Sequence, residues 1–214
     1  MGRRSNIWRK AAVAAALLAG ACAREPSPTW FLGDLSDLQR VPSGDVNVAA
    51  RYLRPGADLS RYARILIDPV ELIYDAGSDL DRLHPDEREL LKRYFRDAVA
   101  TAVQDAYPVV NEPGPDVLRV RAAITDLDFS QSFADIGEMG QIRAFSAIYG
   151  ETAMEAEFRD SLTGERLAAA VDRRGGEVSA YGGRIGTLGA ARAAFVDWAN
   201  LFRRRLDELH GRAR

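Results

Sequence analysis

The run from Met154 to Val171, MEAEFRDSLTGERLAAAV, decides the fold class of this chain. Met154, Ala156 and Phe158 alternate with Glu155, Glu157 and Arg159, the period-two pattern of a strand with one apolar face. Ser161-Leu162-Thr163-Gly164 then supplies the small and polar residues of a turn, and Leu167, Ala169 and Val171 open a second strand. So short a separation predicts an antiparallel hairpin, because parallel neighbours need a crossover of a dozen or more residues.

Outward from the hairpin the same period recurs upstream. Leu118, Val120, Ala122 and Ile124 alternate with Arg119, Arg121, Ala123 and Thr125. Arg64 to Val70 reads as a further strand, with Ile65 and Ile67 on one face and Pro69 limiting its continuation. Between these two strands, His84-Pro85-Asp86-Glu87 marks a helix start. Proline is tolerated in the first turn, and acidic residues there complement the helix dipole. Leu91, Tyr94 or Phe95, Ala98, Ala102 and Ala106 follow at helical spacing, predicting about five turns that end before Pro108. A last helix, from about Leu188 to His210, carries Ala191, Phe195, Trp198, Phe202, Leu206 and Leu209 along one stripe. The order strand, helix, three strands, helix predicts an α+β two-layer sandwich. Its sheet would be mostly antiparallel, of about four strands, with two helices on one face. Arg119, Arg121, Glu155, Glu157 and Arg159 would occupy the wet face. Val46-Asn47-Val48 reads as an edge strand.

The N-terminus is of a different kind. Arg3, Arg4, Arg9 and Lys10 precede an uncharged run, AAVAAALLAGA, over residues 11–21. That run is too short for a permanent membrane helix, which needs about 20 residues. A basic segment, a short apolar segment and small residues before a cleavage point form the order of an export signal. Leu18-Ala19-Gly20-Ala21-Cys22 resembles a bacterial lipobox, with Ala19 where leucine is commonest. Cys22 is the only cysteine of the 214 residues. Acylation of its sulfur removes the thiolate that catalysis or metal binding would need. These features divide the chain into a leader (1–21), a lipidated cysteine with its tether (22–29) and one domain (30–214). Ala23 after the cysteine, in place of aspartate, points to an outer-membrane anchor with the domain facing the periplasm. Without the leader, 193 residues remain, with 25 basic against 31 acidic side chains. A net negative body of this size offers no support for nucleic-acid binding.

Three stretches carry a family resemblance: Phe31 to Ser36, Ala57 to Tyr62 leading to Ile67-Asp68-Pro69-Val70, and Phe158 to Glu165. Ala170 to Arg174 and the Trp198-containing helix continue it. Together they resemble the DUF3313 family of bacterial lipoproteins. The resemblance implies an anchored envelope protein and assigns no activity or catalytic residue.

Catalytic constellations are sparse. His84 and His210 have no Cys or His neighbour at ligand spacing, which disfavours structural zinc. His84 reads as a turn residue. Asp126 and Asp128 are too few for calcium. Gly182-Gly183-Arg184-Ile185-Gly186-Thr187 lacks the lysine and spacing of a phosphate-binding loop. Gly175-Gly176 and Gly182-Gly183 read as tight turns, and Thr187 as a helix cap. No cofactor is implied. Contact positions are instead suggested by Trp30 and Phe31 at the end of the tether, and by Met139, Ile142 and Phe145 in a long glycine-containing excursion, Gln131 to Gly150. The sequence therefore points to a non-enzymatic envelope lipoprotein that contacts another protein or helps assemble a complex. The alternative is a carrier or chaperone for a lipid or other apolar ligand, with the excursion as its cover. An envelope enzyme using convergent carboxylates is the third reading, and homo-oligomerisation through an edge strand is compatible with all three. Replacing Cys22 with Ser should release the protein from membranes on fractionation. Persistent tight attachment would contradict the lipid anchor.

Overall fold

Asp160 closes the hairpin. The computed structural model describes residues 30–42, 50–74, 78–131, 148–178 and 183–212. One Asp160 carboxylate oxygen accepts from the amides of Leu162 (2.9 Å) and Thr163 (2.8 Å). The other accepts from the Tyr62 hydroxyl (2.8 Å) and Arg61 (2.6 Å). Burial alone would raise the pKa of this carboxyl. The amide and hydroxyl donors reverse the effect and hold it down at about 2. Gly164 sits at φ +73°, a left-handed conformation that costs other residues about 1 kcal/mol or more.

In chain order the strands are β1 (Gln39–Val41), β2 (Ala50–Leu53), β3 (Arg64–Ile67), β4 (Glu71–Leu72), β5 (Val109–Val110), β6 (Val117–Gln131), β7 (Ile148–Asp160) and β8 (Arg166–Val178). Helix α1 (Pro85–Val103) lies between β4 and β5, and α2 (Gly183–Leu209) follows β8. All eight strands form one sheet, in the order β1-β2-β8-β7-β6-β3-β5, with β4 also pairing with β6. Strands β6, β7 and β8 are successive antiparallel neighbours, whereas β3 runs parallel to both β5 and β6.

The expected sheet of about four mostly antiparallel strands is therefore corrected in both number and direction. Strands β1, β2, β4 and β5 are only two to four residues long, too short to display a period. The parallel pairing follows from α1. A helix laid across the sheet between two strands returns the chain to its starting end, so β3 and β6 point the same way. Gly175 and Gly176 are not a turn either, because they lie within β8 opposite Glu151 and Gly150. Likewise α2 begins at Gly183, so Thr187 lies inside the helix and does not cap it. The edge strand expected at Val46 to Val48 falls outside the described residues.

Both helices pack on one face, as the apolar stripes predict. Phe95 of α1 meets Phe195 of α2 edge to face at 5.3 Å, and Phe158 of β7 stacks on Phe202 of α2 at 5.2 Å. Strand register sets which residues join them. A shift between Ile124 and Asp126 leaves Thr125 as an extra residue and re-phases the strand. Ile124 and Leu127 consequently both enter the helix-side core. A second shift, near Arg159, leaves Leu167 unpaired. Leu167 and Ala168 then both pack beneath the helices, while Ala169 and Val171 turn to the opposite face.

That opposite face is only partly wet: Arg119 keeps 41% side-chain exposure and Arg121 32%, but much of the rest is covered. Phe31, Leu32 and Leu38 cover it, packed on Ala123, Ala169 and Val171. Glu155 and Glu157, expected in solvent, are each only 1% exposed. Alternation reports which residues share a face, and it is silent on what covers that face. Glu157 is satisfied by three arginines: Arg159 at 2.8 Å, Arg121 at 2.9 Å and Arg166 at 3.1 Å. Arg166 also donates to the carbonyls of Leu32 and Asp34 and to the Asp37 carboxylate. The segment from Leu32 to Asp37 is thus held to the sheet by Arg166, with Arg54 also donating to Asp37 at 2.7 Å. Removing one partner from such a buried network leaves uncompensated charge and typically costs about 3–5 kcal/mol. Glu157→Gln should lose about 3 kcal/mol in urea denaturation. A loss below about 1 kcal/mol would show that the network does not hold this face together.

Candidate functional site

Sheet and helices differ in width. Seven strands side by side, at about 4.8 Å spacing, span about 29 Å between the outer strand axes. Two packed helices of about 10 Å diameter cover only about 20 Å. Helix α1 shares cores with β3 and β6, and α2 packs against β7 and β8. The uncovered strip therefore falls at the β2 edge.

There the structure has an apolar groove of about 400 Å³, within the usual range of small-molecule sites. Its floor includes Ala168 and Ala170 of β8, and its inner wall is Trp198, Leu201, Phe202 and Leu206 of α2. Leu53 of β2 and Leu209 of α2 lie on its outer side, and both are exposed large apolar residues. Two alanines on the helix side of β8, Ala168 and Ala170, explain the space. Larger side chains at Ala168 and Ala170 would fill the gap between strand and helix, as Phe158 does on the neighbouring strand.

Polar groups are few. Arg51, Arg205 and Glu208 contribute to the lining, and Arg205 pairs with Glu208 at 2.7 Å. Asp172 is the one acid set into the wall beneath α2, at 4% exposure. Its carboxylate accepts from the Trp198 indole (2.6 Å) and from Arg174 (3.1 Å), fastening the wall to β8. Burial pushes its pKa up, against the opposing effect of those two donors.

The residues singled out from sequence are dispersed. Trp30 is 74% exposed, whereas Phe31 is 7% exposed and lies under the Arg121 guanidinium at 5.1 Å. The expected aromatic contact pair is thus split, because Phe31 is spent on the sheet face. Cys22, Met139, Ile142 and Phe145 lie outside the described residues. Asp126 is engaged by Arg173 at 2.8 Å and by the amide of Leu127 at 2.8 Å. His84 precedes α1, with its amide donating to Glu87 at 2.8 Å. His210 contacts the Tyr62 carbonyl at 3.1 Å. No group of three or more His, Cys, Asp and Glu among the described residues is placed to hold a metal ion. Within them, no helix is long and apolar enough to cross a membrane. Sequence reasoning missed the groove, whose available signals were the alanine triplet and Asp172 at a helix-facing position.

Asp172 supplies a pH test. An acid with a raised native pKa binds more protons when folded, so its contribution favours the fold below the ordinary value of 3.8. That contribution is lost as pH rises through the raised pKa. Asp172→Asn keeps an acceptor for Trp198 but removes the titration. Its stability relative to wild type should therefore increase as pH rises above 3.8 in chemical denaturation. A difference independent of pH would contradict this.

A family model described as a protein of unknown function (DUF3313) matches residues 27–202. The chain matches no curated protein significantly. Among solved structures, the PelC dodecamer from Paraburkholderia phytofirmans is similar over 70% of this chain and 96% of its own, at 10% identity and TM-score 0.41. Protein XCC0632 from Xanthomonas campestris is similar over 72% of this chain and 88% of its own, at 11% identity and TM-score 0.40. Lipoprotein GNA1162 from Neisseria meningitidis is similar over 64% of this chain and 96% of its own, at 15% identity and TM-score 0.33. All three fall below a TM-score of 0.5, and neither ligand nor assembly state is carried from them to this chain.

Proposed function

The chain belongs to the DUF3313 family, and from that premise we propose a lipid-anchored, non-catalytic envelope protein that holds an acyl chain in the groove beside α2. The anchor reading is supported by the leader and by the single cysteine at the end of a lipobox-like motif. Ala23 supports an outer-membrane destination with the domain in the periplasm. The binding reading is carried by one observation, the alanine floor beneath an aromatic and aliphatic wall. A slim, unbranched apolar chain suits such a site, because burial there is rewarded at roughly 25 cal/mol per Å² of apolar surface. A polar solute would need more convergent donors and acceptors than the groove offers.

This promotes the carrier alternative over assembly with another envelope protein. Of the aromatic pair expected for assembly, Trp30 is exposed and Phe31 is buried. An edge-strand route to a homo-oligomer has support of its own: β1 and β5 have only three and two residues, but β8 continues from Asp172 to Val178 beyond its pairing with β2.

The test uses the exported full chain carrying Cys22→Ser and a fluorescent fatty acid as probe. The reading predicts saturable binding that Ala170→Leu weakens by roughly tenfold, equivalent to about 1.4 kcal/mol. Equal probe binding by both proteins would sink the groove assignment. A variant that loses binding must also keep the wild-type circular dichroism spectrum.

A further inference from the structure

Trp30 is at odds with its neighbours. It is 74% exposed, while the next two residues, Phe31 and Leu32, are 7% and 2% exposed. Nor is it the loose end of a free tail. The Leu32 carbonyl accepts from Arg166 at 2.6 Å, the Asp34 carbonyl accepts from the same guanidinium, and Asp34 itself caps the amide of Ser36 at 2.8 Å. The chain immediately after Trp30 is therefore fixed to the sheet, and the indole is presented from a rigid base. Leaving so large an apolar ring in water forgoes burial energy at roughly 25 cal/mol per Å², which a surface covering it would recover.

Tether length says where that surface is. Seven residues lie between Cys22 and Trp30, so eight Cα-to-Cα steps join them. Even fully extended, they reach no more than about 29 Å. An acylated Cys22 lies at the bilayer surface, so Trp30 stays within that distance of the headgroups. Indole combines an apolar body with one N–H donor, and it favours the headgroup layer over both water and hydrocarbon.

We propose that Trp30 is a second membrane contact, an interfacial anchor that inserts beside the lipid and holds the covered face of the sheet toward the bilayer. This rests on the lipid-anchor reading and is independent of the groove. A tether alone would let the domain tumble through the whole reach of its slack. With Trp30 seated, the domain has one preferred side toward the membrane.

The mature chain contains two tryptophans, Trp30 and Trp198, because Trp8 leaves with the leader. Trp198 is buried against Asp172 and lines the groove, so Trp30→Phe reports any quenching that reaches Trp198 there, and the excess in wild type belongs to Trp30. The lipidated mature protein is reconstituted into phosphatidylcholine vesicles with or without bromine on the upper acyl chain. Tryptophan emission should fall in brominated vesicles for wild type, with a blue shift relative to detergent-free Cys22→Ser protein. Trp30→Phe should lose that quenching while still floating with the vesicles. Quenching no greater in wild type than in Trp30→Phe would overturn the proposal, as would full accessibility of Trp30 to aqueous acrylamide. Protection from acrylamide without bromine quenching would mean that a protein covers Trp30, and would also overturn it. Failure of the wild type to float would overturn the lipid-anchor reading and this proposal together, whereas flotation without quenching overturns this proposal alone.

Discussion

A sheet wider than its helical cover is the constraint from which the rest follows. Two helices cannot seal seven strands placed side by side, so some helix-side surface must remain open. The core places that opening. Phe95, Phe195 and Trp198 form a mutually contacting cluster that draws α1 and α2 together, over the strands carrying Ile124, Met154 and Ala156. The β2 side is left with alanines and a flank of α2. A fold with a third helix, or with large residues at Ala168 and Ala170, would have closed the gap. This one leaves a groove with an apolar lining.

The opposite face meets the same problem differently. Among the described residues no helix covers it, and the segment from Phe31 to Leu38 is laid over part of it instead. An irregular segment has no ladder to hold it, so its backbone carbonyls need donors from elsewhere. Arg166 supplies them, and Glu157 with Asp37 neutralises the charge this brings inside. The arrangement costs desolvation, yet it fixes the segment from Leu32 to Asp37 on the sheet.

Much of the helix-side core was legible in the sequence. Alternation at Leu118 to Ile124 and at Met154 to Phe158 located the long strands, and the stripe from Ala191 to Leu206 located α2. Strands of two to four residues carry little readable period: β3 was found from its Ile65-Leu66-Ile67 run, while β1, β2, β4 and β5 stayed hidden. Glu155 and Glu157 looked solvated because their charge was visible and their cover was not. Bulges at Thr125 and Leu167 re-phase strands by one residue, and neither position has a glycine to announce it. The groove was least legible of all. It is made by missing bulk in Ala168 and Ala170, and small residues in a strand signal nothing until the partner helix is in place. Phe31, paired with Trp30 on the page as a contact, proved to belong to the sheet.

On the proposals made above, the groove and Trp30 would give the molecule two distinct apolar commitments, one to a ligand and one to a bilayer. The central claim is that the strip between α2 and β2 is a binding surface. Amide hydrogen exchange, with and without a saturating fatty acid, tests it most directly on the Cys22→Ser full chain. The account predicts slower exchange in residues 50–53, in residues 166–172 and in the half of α2 that follows Trp198, with the Phe31 to Leu38 segment unaffected. Protection confined to other elements, or none at saturation, would contradict it.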